Sequence, residues 1–348
     1  MQFLKFLLFP FAFLYWAITG LRNLFYKYGI FKSSQFNLPV ISVGNLSLGG
    51  TGKTPHTEYL IRLLMGKYQV ATLSRGFGRK EYQFRIADNQ ATVTNMGDEP
   101  LQYHMKFGSA ITVAVEANRV HGVMDICREK PNTNLILLDD AFQHRAIKPG
   151  LSILLTTLDK PFYHDWIVPI GTLRESRSGY KRADIIIFTK CKTLEIPDKT
   201  KIISRLPLLS HQHVFFSRVV YGAISSLTDD SMLFGLSGYQ LIVVTGIADG
   251  APLVEHLREN NEILYHCRYR DHHSFNARDI NEIHDLFDKF AGPQTLIITT
   301  EKDAMRLKTP MLTEMLNDYP WYYQNIEVEL DKPDDFKKLI LDYAEKNS

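Results

Sequence analysis

The chain has 348 residues, 45% hydrophobic and 22% charged, enough apolar material for a full core or two and too much for a disordered or fibrous protein. Its 40 basic and 38 acidic residues leave a net charge of +2, so no bulk field points to a nucleic-acid partner and any basic patch must be local. The three cysteines, Cys127, Cys191 and Cys267, lack C-x-x-C spacing, which argues against a disulfide framework and a zinc site and suits a reducing cytosol.

The amino terminus departs from that average. Phe6 to Leu21 reads FLLFPFAFLYWAITGL, with no charge until Arg22, Lys27 and Lys32. It falls short of the roughly 20 apolar residues of a spanning helix, Pro10 interrupts it, and Tyr15 and Trp16 suit an interface. The reading for residues 1–36 is an anchoring helix on a membrane surface. A spanning helix and a helix buried against the main body are its alternatives.

From residue 38 apolar runs alternate with helical patterns, the signature of parallel βα units. LPVISVG, YQVATLSRG, AITVAVE, NLILLDD, LSILLTT and ADIIIFTK supply six strands of one doubly wound sheet, assigned to a domain over 37–212. After the β-rich HVFFSRVVYGAIS come QLIVVTGIA, EILYHCRYR, QTLIITTEK and WYYQNIEVEL, read as linker strands and a smaller α/β domain over 213–348. The boundary rests on composition between His211 and Leu236. The fold class expected is α/β: a mostly parallel sheet of P-loop NTPase type flanked by helices, with a second smaller α/β domain.

The stretch GNLSLGGTGKTP, Gly44 to Pro55, lies between a buried strand and a helix, where a phosphate loop must lie. Gly49, Gly50 and Gly52 let backbone N–H groups turn toward one anion across Thr51. Lys53 reaches terminal phosphates, Thr54 offers a hydroxyl to Mg²⁺, and the helix amino end adds its dipole. Ser47 stands where G-x-x-x-x-G-K-[ST] begins with glycine. Further on, NLILLDD ends in Asp139 and Asp140, two strand-end carboxylates that would be costly to bury without a cation; spacing alone does not choose between them as the metal ligand. TKCK, from Thr189, lacks the aspartate that reads guanine, which weighs against a GTPase.

Further clusters are spread over both domains: RGFGR from Arg75, MGDEP from Met96, EANR from Glu116, GTLRESRSGYKRAD from Gly171, RDHHSF from Arg270 and TTEKDAMRLK from Thr299. With VGNLSLGGTGKTP and LDDAFQH, in this order and over nearly the whole chain, they make the sequence resemble the tetraacyldisaccharide 4′-kinases of Gram-negative bacteria. In that family a small hydroxyl residue usually takes the position of Ser47.

The resemblance implies ATP and Mg²⁺ as cofactors and an acylated glucosamine disaccharide 1-phosphate as acceptor, phosphorylated on its 4′-hydroxyl. It places the enzyme at the cytoplasmic face of the inner membrane through the amino-terminal helix, with no nucleic acid and no obligate protein partner. It assigns Asp98 as the proposed base, with His272 paired to it across the domain gap and Lys53 as the third catalytic group. Arg75, Glu99, Arg119, Gln143, His144, Arg174 and Glu175 match substrate positions; Thr300, Glu301 and Lys302 are unranked cleft candidates. Arg174, Arg177, Lys181 and Arg182 could also face anionic lipid head groups. Phe77 departs from the tyrosine of many relatives, which puts a polar role there in doubt. The rival from another class is a membrane-attached P-loop ATPase switch acting on a protein partner.

Overall fold

The computed structural model describes residues 2–229, 231–290 and 292–347. Strands β1 (Val40–Asn45), β2 (Val70–Ser74), β3 (Arg85–Ile86), β4 (Thr112–Val115), β5 (Leu135–Asp139), β6 (Leu151–Thr157), β7 (Ile185–Thr189), β8 (His213–Ser226), β9 (Met232–Leu233), β10 (Gln240–Thr245), β11 (Glu262–Arg268), β12 (Thr295–Thr300) and β13 (Trp321–Leu330) form, among the described residues, one 13-stranded sheet. The helices are α1 (Gln2–Lys27), α2 (Lys53–Leu64), α3 (Val93–Met96), α4 (Asp98–Phe107), α5 (Arg119–Glu129), α6 (Lys199–Ser204), α7 (Ala251–Arg258), α8 (Ala277–Phe290), α9 (Glu301–Leu307), α10 (Pro310–Leu316) and α11 (Pro333–Lys346).

Across the sheet the order is β11-β10-β12-β13-β8-β7-β6-β1-β5-β2-β4-β3, with β9 on the side of β8. Pairing is parallel except where β13 and β9 meet β8 and where β3 meets β4. Strands β1, β2, β5 and β7 are buried along their whole length, because helices cover both faces of the sheet; their sequences therefore run apolar without alternation. All the strands read from sequence are present. The two-residue β3 and β9 had no readable signal, being too short to show a period.

Two features connect the units on either side of 212/213. His213–Phe216 of β8 pair in parallel with β7, while Ser217–Ser226 pair antiparallel with β13, so one strand serves both units. Helix α11 then returns to the first unit: Phe336, Ile340 and Ala344, spaced by four residues, pack with Ile41, Leu60 and Leu137. In the first unit β1 sits at the centre of the strand order, and the connection from it runs to one side before β6 is laid on the other. The crevice at the carboxyl ends of β1 and β5 is thus a topological switch point, where α/β sheets bind ligands.

Helix α1 continues through Pro10 and has its polarity inverted. Ala12 and Thr19 are buried, and Tyr15, Arg22 and Asn23 on the same stripe bond to the body. Its outward face is apolar: Phe9, Phe13, Trp16 and Leu21 are each about half exposed. Leu7–Lys27 is also long and apolar enough to cross a membrane, with mean hydropathy 1.3, and 11% of it is buried.

Candidate active site

The glycine-rich segment leaves β1, turns, and enters α2 at Lys53. Gly52 at the helix N-cap has φ 84°, a left-handed conformation that a side chain would strain, and it aims the first α2 amides into the loop. The loop is held from three directions. Asn45 Nδ2 donates to Thr51 Oγ1 at 2.8 Å, Thr189 Oγ1 donates to the Thr51 carbonyl at 2.9 Å, and Leu48 N donates to the Thr172 carbonyl at 2.7 Å. Ser47 accordingly bridges Leu173 in antiparallel fashion, with no glycine conformation required there. Gly49 and Gly50 are exposed at the rim, while Ser47, Lys53 and Thr54 are half-buried.

The two strand-end acids differ in surroundings. Asp140 (φ 47°) turns outward and pairs with Arg174 Nη1 at 2.9 Å and with Lys53 Nζ at 3.7 Å. Burial works to raise it, but the charges of Lys53 and Arg174 prevail and hold it below the usual range. Asp139 faces inward; its Oδ2 accepts from Tyr103 OH at 3.1 Å and Ser74 Oγ at 3.4 Å. Its Oδ1 is buried without a partner. Burial, then the charges of Glu99 and Asp140, push Asp139 up to about 6.

Asp98 opens α4, immediately after Gly97. Gly97 has φ 88°, and a Cβ there would come within 2.7 Å of the Phe77 carbonyl, so glycine allows the Arg75–Arg79 segment to lie against the start of α4. Asp98 is 5% exposed, and its Oδ2 meets His272 Nδ1 at 2.9 Å, although 174 residues separate them. A carboxylate only accepts, so Nδ1 carries the proton of this bond. His272 has φ 56° and packs against the Phe77 ring at 5.3 Å, an apolar role for the residue where a hydroxyl was in question. The same Oδ2 accepts from Arg306, from Nε at 3.0 Å and from Nη2 at 2.5 Å. Burial alone would raise Asp98; the hydrogen bonds of His272 and Arg306 and the charges of Arg306 and Lys302 outweigh it and hold the group down to about 2.

Two further ion contacts join α4 to α9. Lys302 meets Glu99 at 2.7 Å, and Lys106 bridges Glu301 at 2.5 Å and Glu58 at 2.7 Å. Glu301 and Lys302 therefore fasten the two units together, and Thr300 Oγ1 caps α9 by accepting from Asp303 N. Arg306 lies three residues beyond Asp303 in the TTEKDAMRLK stretch and went unmarked. Its signal was an arginine between Met305 and Leu307, both buried, which requires a buried acidic partner elsewhere.

The other residues that the resemblance matched to substrate positions are in unequal states. Arg119 is 2% exposed and donates to the carbonyls of Glu116, Ala117 and Asp139, so it braces the end of β5 with its fork spent on backbone. His144 accepts from Arg119 N at 3.3 Å; burial and the charges of Arg119, Arg75 and Arg22 lower it to about 4, so it is neutral at pH 7. Arg75 is exposed beside them. Glu175 is fully buried and accepts from Asn23, Gln143 and Arg182. Gln143 also donates to the Asn45 carbonyl at 2.7 Å, and Tyr15 OH donates to the Arg174 carbonyl at 3.0 Å. Arg174 and Arg182 are thus engaged with Asp140 and Glu175. Arg177 donates to the Asp165 carbonyl and lies over Trp166 at 5.2 Å, and it and Lys181 are the exposed cations of that run. The root of α1 is built into the rim of the mouth.

A helix amino end and a lysine can gather phosphate oxygens, and a second unit of the same sheet brings His272 and Arg306 onto the ionised carboxylate of Asp98. The class of protein that this fold and site define is a P-loop phosphotransferase. The chain belongs to the tetraacyldisaccharide-1-P 4′-kinase family, whose model matches residues 4–345. It is 42% identical over 357 residues to the tetraacyldisaccharide 4′-kinase of Bacteroides thetaiotaomicron, covering 98% of this chain and 93% of that one. It is also 42% identical over 351 residues to that of Flavobacterium johnsoniae, covering 100% and 99%. The LpxK of Aquifex aeolicus, solved in complex with ATP, is similar in structure with TM-score 0.76, 26% identity and coverage of 98% and 99%.

Proposed function

We propose that this chain transfers the γ-phosphoryl group of ATP to the 4′-hydroxyl of tetraacyldisaccharide 1-phosphate, an acylated glucosamine disaccharide, to form lipid IVA in lipid A biosynthesis. The observation that carries the reading is the Asp98–His272 contact, in a chain that also holds a phosphate loop and matches named 4′-kinases over nearly its full length. Residues 37–212 bind the phosphates, and the unit over 213–348, apart from the returning α11, delivers His272.

Phosphoryl transfer through a loose transition state asks for positioning and charge neutralisation more than for strong base chemistry. Ser47, Gly49, Gly50, Thr51 and Gly52 cradle the phosphates with backbone amides, and Lys53 meets the β- and γ-oxygens. Asp98 orients the acceptor hydroxyl and takes its proton, with His272 holding the carboxylate in place. Mg²⁺ fits the residues present: the partnerless buried Oδ1 of Asp139 is a ligand lacking a cation, and Thr54 stands at the head of α2. Thr54 and Asp139 would hold it, with phosphate oxygens and water completing the shell, and it would neutralise charge on the transferring group. Asp140, already paired with Arg174 and Lys53, keeps those two cations directed at the mouth. Arg75, Glu99, Arg119, Gln143, His144 and Glu175 shape the acceptor side, Arg119 and Glu175 from buried positions.

The outward apolar face of α1 lies on the cytoplasmic face of the bacterial inner membrane, where the acyl chains of the acceptor reside. The deciding experiment is thin-layer analysis with γ-labelled ATP and the lipid disaccharide. Label in a lipid product, dependent on added disaccharide, supports the kinase. Phosphate release independent of lipid and raised by a protein partner would replace it with the ATPase switch.

A further inference from the structure

Arg306 is 5% exposed and sits on α9 of the second unit, yet its guanidinium ends on a carboxylate of the first, 208 residues away. Its bonds fix direction. Nη1 donates to the Gly246 carbonyl at 2.9 Å and to Asp303 Oδ1 at 2.8 Å, Nε and Nη2 both donate to Asp98 Oδ2, and Nη2 also lies 3.2 Å from His272 Nδ1. Asp303 is itself immobilised, since its Oδ2 accepts from Gly246 N at 2.9 Å and from Thr300 Oγ1 at 2.7 Å. The carboxyl ends of β10 and β12 are thereby tied to one planar fork, and the fork to Asp98. A point cation could neutralise Asp98, but it could not hold that carboxylate and the Gly246 carbonyl at a fixed mutual angle.

We propose that Arg306 is a positioning residue for phosphoryl transfer: anchored on Gly246 and Asp303, it engages Asp98 through Oδ2 so that Oδ1 is the oxygen presented to the acceptor hydroxyl. This rests on the assignment of Asp98 as the group that meets that hydroxyl. Among the described residues every hydrogen bond to Asp98 ends on Oδ2, from His272 and from Arg306, which leaves Oδ1 to meet another donor. The charged groups around Asp98 are His272 and Asp271 from the loop after β11, Lys302, Asp303 and Arg306 from α9, and Glu99 beside it on α4. Of these, Arg306 alone contributes both a direct hydrogen bond and a full permanent charge. Its removal leaves His272 to hold a carboxylate in a buried setting, and the pKa of Asp98 then rises into a measurable range.

The test uses the full chain as Arg306→Gln and Arg306→Lys, beside Asp98→Asn. The first readout needs no turnover: the carboxyl carbon-13 signal of Asp98, assigned by its loss in Asp98→Asn, followed from pH 4.5 to pH 8. Wild type is expected to show no titration step there and Arg306→Gln to show one; identical curves would overturn the inference. The second readout is lipid phosphorylation. Arg306→Gln is expected to lose about tenfold or more in kcat, with the KM for ATP within about twofold of wild type, because the phosphate loop is untouched. Its kcat/KM is expected to fall about threefold further than wild type between pH 8 and pH 5. Arg306→Lys, which keeps the charge in a similar volume, is expected to keep Asp98 ionised across the range and still lose several-fold in kcat. Should the glutamine variant not fold, wild-type kcat in the lysine variant overturns the inference. A wild-type protein that makes no lipid product would instead sink the kinase reading and leave the carbon-13 result to decide the role of Arg306.

Discussion

The phosphate loop from Ser47 to Thr54 is made of consecutive residues, whereas the Asp98 cluster joins side chains 174 and 208 positions apart. In the first, backbone amides and a helix end do the binding, and the side chains are those a strand–turn–helix places there locally. In the second, a carboxylate from one unit is met by a histidine and an arginine from another, held by the shared strand β8 and by the ion contacts of Lys106 and Lys302. The loop can form in any protein with the right eight residues. The Asp98 cluster, proposed as the acceptor side, exists only when the whole sheet is assembled, and that would separate a specific kinase from a generic phosphate binder.

The sharpest break is at Asp98. Asp98→Asn keeps the shape and removes the charge, and turnover is expected to fall about 10²- to 10⁴-fold with the KM for ATP little changed, measured by label transfer over a range of ATP concentrations. An unchanged KM with collapsed kcat places the loss on the acceptor side; near-normal turnover would remove Asp98 from the mechanism. Lys53→Ala strikes the other region and is expected to cost about 10²- to 10³-fold in kcat/KM, with ATP binding weakened in calorimetry. The two variants should therefore differ in which constant moves, even where their overall losses are similar.

A smaller effect is expected from the rim. Replacing Phe13 and Trp16 together by glutamate charges the outward face of α1 without touching the bonds of Tyr15, Arg22 or Asn23. Vesicle flotation should then be lost and the apparent KM for lipid presented in vesicles should rise about tenfold or more, since burial of each aromatic side chain is worth about 2 kcal/mol. Unaltered flotation would return α1 to a purely structural role.

The smallest effect is a stabilisation. Asp139 is pushed up to about 6 from an ordinary 3.8, so between those values the folded state binds a proton that the unfolded state does not, and the ligand-free protein loses stability as pH rises through that window. Asp139→Asn cannot ionise, and its carbonyl can still accept from Tyr103 and Ser74. Its melting temperature should match wild type near pH 4 and exceed it by a few degrees above pH 6, an effect on the order of 2 kcal/mol, while turnover is lost. A variant less stable than wild type at pH 7.5 would show that the charge of Asp139 is already compensated.

Much of this molecule was legible before any coordinates. Buried strands declared themselves as apolar runs because both faces of the sheet are covered, and the phosphate loop and the strand-end acids declared themselves because their chemistry depends on local order. The Asp98–His272 pairing entered through a family pattern and could not have been read from spacing. Arg306, in the same stretch as Thr300, Glu301 and Lys302, is not singled out by local order, because its partner Asp98 lies 208 residues away. The return of α11 to the first unit was equally unreadable, since Phe336, Ile340 and Ala344 define an apolar stripe and say nothing of where it packs.

What the sequence determined by itself is therefore what short-range physics enforces: the strands, the glycine turn, the helix start that follows it and an amino terminus too apolar for water. What only the tertiary structure decided is which distant charges share one carboxylate, which of Asp139 and Asp140 is left without a partner, and which way α1 faces. Those outcomes depend on burial and on distances across the sheet, quantities that exist only once the chain has folded onto itself.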